Sequence, residues 1–436
     1  MSSAAARTGT GLLSWRGDLA PGQERIGGVL HVGGINATEL ARVYGTPLLA
    51  IDLDVLDETI AQLEAACKPA GIEISYAGKA LLITTLARRL ARTSVGLDVC
   101  SLGELLTGER ADFPAERMTL HGCGKSDAEL QAAIDRRVET IVVDNLDELT
   151  RLGRLSGAVR PAQVILRINT GIEAHTHDFV LTSGDRTKFG IATRDFGMAA
   201  ELLARYNRLD FAGLHSHIGS QIFETAAFRA NTRAIIDAAA AFAKLGLHSR
   251  ELIVGGGFGI ETRPNDPSTL NIADAIAAIA QSASQFGARI GIEPGRALIG
   301  AAGTSIYTVM ARKRQGEREF VVIDGGIADN PRPALYNAYH HALPVVQEAG
   351  ENGRTTPMTV CGRSCENDHY TDATLPDTLS AGDLLAVCTT GAYTYSMASN
   401  YNRFPRPPVV FVSGGEHRPA ARRETLDDVL RSDLDV

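Results

Sequence analysis

A lysine that follows an apolar run has the setting of a chemically reactive amine. Lys79 lies in the segment SYAGKA (75–80), directly after a run that is typical of a buried strand. A single lysine at the end of a strand is usually just solvated. Even among carboxylates, however, partial desolvation lowers its pKa, and the free amine can then form a Schiff base with a carbonyl compound. Lys79 is therefore a candidate nucleophile.

Three successive glycines, Gly255, Gly256 and Gly257, follow the apolar residues LIV. Backbone N–H groups in such a turn can converge on a phosphate, because no Cβ atom blocks the approach. The GxGxxG spacing of a dinucleotide site is missing, and the next residues (ETRPNDPS) do not begin a helix cleanly. A purely structural turn explains the glycines equally well when they are considered alone.

The segment Glu293-Pro294-Gly295-Arg296 combines an acid and a base at the end of another strand-like run. A carboxylate there could hold a protonated ring nitrogen, and an arginine fork suits a phosphate or a carboxylate. Taken alone, the segment could also be a local surface ion pair.

His215 and His217 are two residues apart on one predicted strand and therefore face the same side of it. They could bind a metal, or one imidazole could stack on an aromatic cofactor. We expect no metal, because there is neither HxxxH spacing nor a nearby cysteine pair. Ser220, shortly after these histidines, could offer a hydroxyl to a phosphate.

Cys365 and Glu366 lie in the polar run 363–369. A buried free cysteine is usually a small hydrophobic residue. A thiol among charged and polar groups can instead be a proton donor.

The elements that must position these groups form a regular series. Short β-rich runs, each followed by a stretch with helical spacing, occur at 72–78, 95–99, 117–122, 140–145, 164–169, 211–219, 251–257 and 289–295. Eight such units predict a closed parallel (β/α)8 TIM-like barrel, whose active site forms where the strands end. Those ends carry Lys79, Asp98, His121, Asp144, Arg167, His217, Gly255 to Gly257, Glu293 and Arg296.

Beyond residue 305 the runs remain strand-like but lose the helical spacing, which predicts a second, mostly β domain. The sequence thus predicts an α/β chain in three parts. An N-terminal segment (1–46) packs with the β domain, the barrel covers 47–305, and the C-terminal β-sandwich or β-barrel domain covers 306–436.

Composition excludes several classes of protein. The 436 residues contain 43 Lys plus Arg and 51 Asp plus Glu, for a net charge of −8, which disfavours nucleic-acid and anionic-membrane partners. The first residues have no apolar core long enough for a signal peptide, and six scattered cysteines favour reduced thiols. We therefore expect a cytoplasmic protein with a small-molecule substrate.

Together these motifs resemble the fold-type III pyridoxal-phosphate-dependent decarboxylases, and most closely the diaminopimelate decarboxylase branch of that family. The similarity covers nearly the whole chain, in order, and rests on the segments YAGKA (76–80), HGCGKS (121–126), LRINTGIEAHTH (166–177), KFGI (188–191), GLHSHIGSQI (213–222), GGGFGI (255–260), EPGR (293–296), RPALY (332–336), CE (365–366) and GAYTYSMASNYN (391–402).

The resemblance implies a role for each matching residue. Lys79 would hold pyridoxal 5'-phosphate as a Schiff base, His217 would stack on its ring and Glu293 would pair with the ring nitrogen. The phosphate end would be lined by Ser220, Gly255, Gly256, Gly257, Pro294, Gly295, Arg296 and Tyr393, while Asp98 and Arg167 support the lysine and the ring-binding residues.

The resemblance also implies a substrate and a partner. Decarboxylation of meso-2,6-diaminopimelate would give L-lysine and CO2, with the distal carboxylate held by Arg296, Arg332, Tyr336 and Tyr393 and the distal amine by Glu366. Cys365 would be the proton donor, and it would come from the other subunit of a head-to-tail homodimer.

The chain departs from the family pattern beside Cys365, where Asn367-Asp368-His369 replaces Ser-Gly-Asp. HGCGKS also replaces HGNNKS, and Leu81 replaces a common Asn. A related basic or modified amino acid is therefore an alternative substrate. An alanine-racemase-like enzyme and a cofactor-binding regulator without activity are weaker alternatives.

Overall fold

The computed structural model describes residues 13–156, 162–172, 187–347 and 353–434, and it divides into two compact units. The barrel unit comprises Ala61–Gly259 and Thr269–Ala297. The β unit comprises the described residues up to Ile60, Ile260–Ser268 and the described residues from Leu298 onward. His175 and His177, at the end of one family motif, lie outside the described residues.

The strands, in chain order, are β1 Gln23–Ile26, β2 Val29–Val32, β3 Ile35–Asn36, β4 Leu48–Asp52, β5 Ile72–Ala77, β6 Gly96–Val99, β7 Met118–Leu120, β8 Thr140–Val143, β9 Ala162–Arg167, β10 Leu209–His215, β11 Glu251–Ile253, β12 Arg289–Ile292, β13 Gly303–Gln315, β14 Arg318–Ile323, β15 Ala342–Pro344, β16 Thr355–Cys361, β17 His369–Pro376, β18 Leu384–Cys388, β19 Val409–Ser413 and β20 Glu416–Ala421.

The α-helices are α1 Ala37–Tyr44, α2 Leu53–Cys67, α3 Thr84–Leu90, α4 Leu102–Arg110, α5 Asp127–Asp135, α6 Leu146–Leu155, α7 Phe196–Arg205, α8 Thr225–Lys244, α9 Ile272–Ala283, α10 Arg296–Ile299, α11 Arg332–Tyr336 and α12 Leu426–Leu430. Across the described ranges, none of these helices combines the length and the hydropathy that a membrane span needs.

Strands β5 to β12 close into a parallel barrel, which confirms the predicted (β/α)8 architecture. They are short and rich in β-branched residues, and β8 (TIVV) is buried at every position. This pattern is typical of parallel strands that are covered on both faces. Helices α4, α5 and α6 begin at polar N-caps that follow the preceding strand closely. The caps are Ser101, Ser126 and Asn145, each accepting a backbone N–H from the first turn.

Apolar side chains fill only part of the barrel interior. Val142, Ile165, Ala212 and Ile253 form a small buried cluster. Small or polar residues, among them Ser75, Gly96, Thr119 and Gly291, instead line a cavity of about 670 Å³. This cavity runs from the N-terminal ends of the strands, at Glu73, Glu251 and Arg289, to Asp98 and Glu293. We call it the lower cavity.

The β unit contains a three-stranded sheet of β1, β2 and β3 and a nine-stranded sheet. The long strand β13 is central to the larger sheet and pairs with β14, β18 and β4. Most pairs are antiparallel, although β14 with β16 and β4 with β19 are parallel. The predicted mostly β domain is therefore confirmed. Strand β4, which the sequence analysis placed at the start of the barrel segment, belongs to this sheet.

Candidate active site

Lys79 lies in a single helical turn, Gly78–Ala80, directly after β5. The fully buried Tyr76 fixes this turn, because its hydroxyl donates to the Leu81 carbonyl (2.8 Å) and accepts the Leu81 N–H (3.1 Å). Gly78 and Ala80 are buried, whereas the Lys79 side chain is exposed. The turn thus presents an accessible amine at the C-terminal end of a barrel strand.

Glu293, just after β12, is the centre of a buried ionisable cluster. Its Oε2 lies 3.0 Å from Nε2 of His215, and its Oε1 lies 3.1 Å from Nε2 of His121. His121 also approaches Asp98 Oδ1 at 3.7 Å, and that oxygen accepts a hydrogen bond from the Ser75 hydroxyl (2.6 Å). We call Asp98, His121, His215 and Glu293 the histidine–carboxylate cluster. Of the two contacts of Glu293, the one with His215 is a hydrogen bond and the one with His121 is an ion pair without hydrogen-bond geometry.

Burial and charge act in opposite directions on Glu293. Burial alone would raise its pKa, but the two neighbouring histidines outweigh that effect and hold the pKa well below its usual value. The pKa of Asp98 is raised, mainly by burial and then by the charge of Glu293. Glu293 is therefore the ionised carboxylate of the cluster.

His217 contributes a neutral imidazole. Burial, followed by the charges of Lys79 and Arg167, lowers its pKa well below the usual value. Its Nδ1 accepts the backbone N–H of Gly256 (3.1 Å), which fixes the ring beside the triple glycine. A fixed neutral ring is suited to stacking on an aromatic ligand.

The triple glycine is required by close backbone packing. A Cβ atom at Gly256 would lie 2.0 Å from the Glu293 carbonyl oxygen. Gly257 has a φ of +93°, and a Cβ atom there would lie 2.4 Å from the Gly219 carbonyl oxygen. Close to this turn, Nη2 of Arg296 donates to the Ser220 hydroxyl (3.2 Å). Backbone N–H groups, a hydroxyl and a guanidinium are a donor set for a phosphate.

Arg167 is the last residue of β9 and lies at the C-terminal end of the barrel strands, which we call the barrel mouth. Its guanidinium is 4.4 Å from the Phe189 ring centroid and 4.0 Å from Asp144. Burial lowers its pKa, while the charge of Asp144 opposes that shift. Within the described residues, the buried atoms Arg167 Nη2 and Asp98 Oδ2 have no hydrogen-bond partner. Buried polar atoms of this kind are ones that a ligand or a water would satisfy.

The β unit holds the residues predicted for the far end of a substrate. The buried guanidinium of Arg332 lies 5.4 Å from the ring centroid of Tyr336 and 5.9 Å from that of Tyr393. Tyr393 has a φ of +58°, in the left-handed region that non-glycine residues seldom adopt. Backbone strain of this type is common where a side chain must be placed for function.

Cys365 and Glu366 are exposed on the β unit. The Cys365 N–H donates to Asn402 (3.1 Å), and the Tyr401 hydroxyl donates to the Glu366 carboxylate (2.6 Å). These bonds give the loop a defined shape, while both functional side chains remain open to solvent. All six cysteines lie in the described ranges and are free thiols.

The departure from the family pattern at Asp368 has a structural explanation. Asp368 is buried, has a φ of +44° and accepts the Ile327 N–H at 2.8 Å. Its side chain packs on Gly326 and Gly362, where any Cβ atom would clash with it. His369 lies outside this contact and pairs with Asp372 at 3.2 Å on the surface. The Asp368 side chain therefore holds the loop from inside.

Sequence reasoning did not assign a role to His121 or His215. His121 was noted only as a strand end, and His215 was considered only as a possible metal ligand or stacking ring. The topology contained the signal, because His121 follows β7, His215 ends β10, and the ends of barrel strands meet at one side of the barrel. What the sequence could not supply was the contact of both rings with the same carboxylate, at 3.0 and 3.1 Å.

Sequence reasoning also left Lys125 of the HGCGKS motif without a role. It forms a fully buried ion pair with Glu148 (2.8 Å) and donates to the carbonyls of Gly122 and Val142. Glu148 in turn accepts the Asp144 N–H (3.2 Å). This pair links the loops after β7 and β8, and so supports Asp144 and, through it, Arg167.

Comparison with known proteins identifies the class. The family of the pyridoxal-dependent decarboxylase, pyridoxal binding domain, matches residues 55–300. The chain belongs to the pyridoxal-dependent decarboxylases. The barrel mouth fits their cofactor, since it combines an accessible lysine, a buried ionised carboxylate, a glycine turn without room for Cβ atoms and buried polar atoms that have no hydrogen-bond partner among the described residues.

Several relatives within that class are named diaminopimelate decarboxylases. A diaminopimelate decarboxylase from Bacillus subtilis (strain 168) is 40% identical over 428 residues, covering 93% of this chain and 95% of the relative. A solved diaminopimelate decarboxylase from M. jannaschii has a TM-score of 0.87 at 29% identity, covering 95% of this chain and 98% of that chain. A Helicobacter pylori diaminopimelate decarboxylase, solved in complex with L-lysine, has a TM-score of 0.84 at 28% identity, covering 91% of this chain and 98% of that chain.

Proposed function

We propose that this chain decarboxylates meso-2,6-diaminopimelate to L-lysine and CO2 with pyridoxal 5'-phosphate as cofactor. The observation that carries the proposal is the buried, ionised Glu293 at the same barrel mouth as the accessible Lys79. The similarity to diaminopimelate decarboxylases over 93% of the chain supports the choice of substrate.

Different residues of the barrel mouth bind different parts of the cofactor. Lys79 supplies the amine for its covalent attachment, and the neutral ring of His217 is the stacking partner. Ser220, Gly255 to Gly257, Pro294, Gly295 and Arg296 serve the phosphate, and we propose that Tyr393 joins them from the β unit. Asp98 and Arg167 hold their neighbours in place.

Two groups control protons during the reaction. The cofactor, when bound, supplies an electron-withdrawing pyridine ring that accepts the electron pair left by the departing CO2. Glu293 keeps a proton on the ring nitrogen, because an adjacent anion favours the charged form. Cys365 donates a proton to the α carbon after CO2 has left.

Recognition of the distal end of the substrate falls to the β unit and to Arg296. An arginine fork suits the distal carboxylate, so Arg296, Arg332, Tyr336 and Tyr393 are assigned to it. Glu366 is assigned to the distal ammonium. Asp368 differs from the family pattern, but its buried side chain stabilises the loop by accepting the Ile327 N–H, and it leaves Glu366 exposed. This difference therefore supports diaminopimelate over a modified substrate.

We further propose a head-to-tail homodimer with shared active sites. The exposure of both Cys365 and Glu366 supports this assembly, because a proton donor and an amine-binding acid must be covered to act on a bound substrate. Six free thiols support a reducing, cytoplasmic location.

A turnover panel tests the proposed function. The purified protein, supplied with pyridoxal 5'-phosphate, is given meso-diaminopimelate, lysine, ornithine or arginine, and CO2 release and product chirality are measured. We expect CO2 and L-lysine from meso-diaminopimelate and at least about tenfold lower turnover of the others. Preferred turnover of another amino acid would overturn the substrate, and loss of optical activity without CO2 would indicate a racemase.

A further inference from the structure

The histidine–carboxylate cluster contains an asymmetry that the assigned roles leave unexplained. Glu293 has two carboxylate oxygens, and each faces a different imidazole at about the same distance, 3.0 Å to His215 and 3.1 Å to His121. Both rings are buried, and their centroids lie 5.1 Å apart in an edge-to-face arrangement. The two contacts differ in geometry, because His215 forms a hydrogen bond with Glu293 whereas His121 lies at ion-pair distance without hydrogen-bond geometry.

The two rings differ in the charged groups that lie near them in addition to Glu293. His121 lies between two carboxylates, because Asp98 Oδ1 is 3.7 Å from the same Nε2 atom. His215 has no such second carboxylate among the described residues, and the charges of His121 and Arg167 oppose its protonation. Glu104 also acts on Asp98 and His121, and His217 interacts with Glu293 and His215. A buried cation is tolerated only beside anions, so the positive charge belongs on His121.

We infer that His121 is a positioning residue which, as a buried imidazolium, keeps Glu293 ionised and oriented toward the ring nitrogen of the cofactor, whereas His215 acts as a neutral imidazole. The inference rests on the proposed role of Glu293. A buried glutamate without such a cation would take up a proton and could no longer hold a protonated pyridine nitrogen.

The pKa shifts of the two rings agree with this assignment, although both histidines lower the pKa of Glu293, His215 more than His121. Burial lowers the pKa of both rings, but Glu293 and Asp98 together raise the pKa of His121 to about 9. For His215 burial prevails over Glu293, and the pKa falls to about 4. At neutral pH the cluster therefore carries one imidazolium.

The first test uses the unmodified, cofactor-free protein and needs no variant to fold. Nitrogen-15 NMR of labelled histidines should show one ring that stays protonated until its pKa of about 9 and one that stays neutral down to about 4. His121→Gln and His215→Gln assign the two signals, and Glu293→Gln should lower the higher pKa. A His121 ring that titrates at or below about 6.5, the value of free histidine, overturns the inference.

The second test separates positioning from simple structural support. The dissociation constant of pyridoxal 5'-phosphate and the pH dependence of its bound absorption are compared for His121→Gln and His215→Gln, each of which removes one imidazole beside Glu293. We expect H121Q to raise the dissociation constant at neutral pH by at least about tenfold. It should also move the acidic transition in the absorption of the bound cofactor to higher pH, and H215Q should change both quantities less. Equal effects of both variants overturn the inference. Neither measurement uses a substrate, so failure here is distinguishable from a wrong substrate assignment.

Discussion

The barrel mouth and the Cys365–Glu366 loop are built in opposite ways. At the mouth, Glu293 and both of its histidine partners are buried, and all three side chains belong to the barrel unit. On the loop, Cys365 and Glu366 are exposed, although their backbone and side-chain contacts are well defined. The difference teaches that the barrel mouth is preformed to hold the cofactor, whereas the Cys365–Glu366 loop has a defined backbone but leaves both side chains open to solvent, as the proposed homodimer requires.

The largest expected effect comes from separating these two halves onto different subunits. Lys79→Ala and Cys365→Ala should lose at least about 10³-fold and 10²-fold in turnover, respectively, because one removes the nucleophile and the other the general acid. Mixed in equal amounts under subunit exchange, the two variants should recover about a quarter of the native activity, since half of the dimers regain one of two sites.

The control for this recovery is a mixture of Lys79→Ala with Glu293→Gln, in which both changes fall in the barrel. That pair should regain nothing above the separate variants. C365A should also retain the cofactor absorption of the native protein. An inactive K79A and C365A mixture that demonstrably forms mixed dimers would show that the two halves belong to the same subunit.

The buried support of the barrel mouth should be far more sensitive to change than its surface. Lys125→Met leaves Glu148 buried without its cation, so we expect a loss of about 3–5 kcal/mol in the free energy of unfolding. The matched control is Arg250→Met, which breaks the exposed pair with Asp210 and should cost less than about 1 kcal/mol. Urea unfolding of both variants measures the difference, and equal losses would contradict a special role for the buried pair.

The charge on His121 should give the barrel mouth its own pH dependence. Its pKa is raised to about 9 in the folded chain, so its contribution to stability is complete below about 6.5 and is lost as the pH rises through 9. The difference in unfolding free energy between the native protein and His121→Gln should thus shrink by about 1–3 kcal/mol across that window. Thermal or urea unfolding of the cofactor-free proteins checks this, and a difference that stays constant with pH contradicts it.

The smallest effect on stability is expected at Asp368, whose buried side chain anchors the Cys365–Glu366 loop. Asp368→Gly relieves a positive φ but removes the acceptor of the Ile327 N–H, so the two effects nearly cancel within about 1 kcal/mol. Cofactor absorption should be unchanged. Restoring Ser, Gly and Asp together at 367–369 should change the substrate profile more than that absorption, and equal changes in both would count against the division between the two halves.

The barrel was predictable because its signal is local and repeated. Each strand is a short apolar run followed by helical spacing, and the groups at the strand ends follow from the topology. The nine-stranded sheet was harder to predict, since β4 joins β13 and β19 from distant parts of the sequence. Strand β17 has an irregular alternation of buried and exposed residues, which gives only a weak period-two signal in the sequence.

Within the site, residue types were predictable and their partners were not. Lys79, Glu293 and Arg296 could be singled out by their positions at strand ends. The pairing of Lys125 with Glu148 depends on the fold of two loops around each other. The inward turn of Asp368 depends on Gly326 and Gly362, which make room for it. Such contacts are set by tertiary packing, which sequence spacing does not encode.

The lower cavity gives the barrel a second opening, on the side opposite the barrel mouth. Substrate reaches a barrel of this kind at the C-terminal ends of its strands. The lower cavity leads from the opposite rim to Asp98 and Glu293, so water can wet the back of these carboxylates while a bound substrate closes the front. The lower cavity therefore offers these buried acids a path for water and protons that does not pass through the entrance used by the substrate.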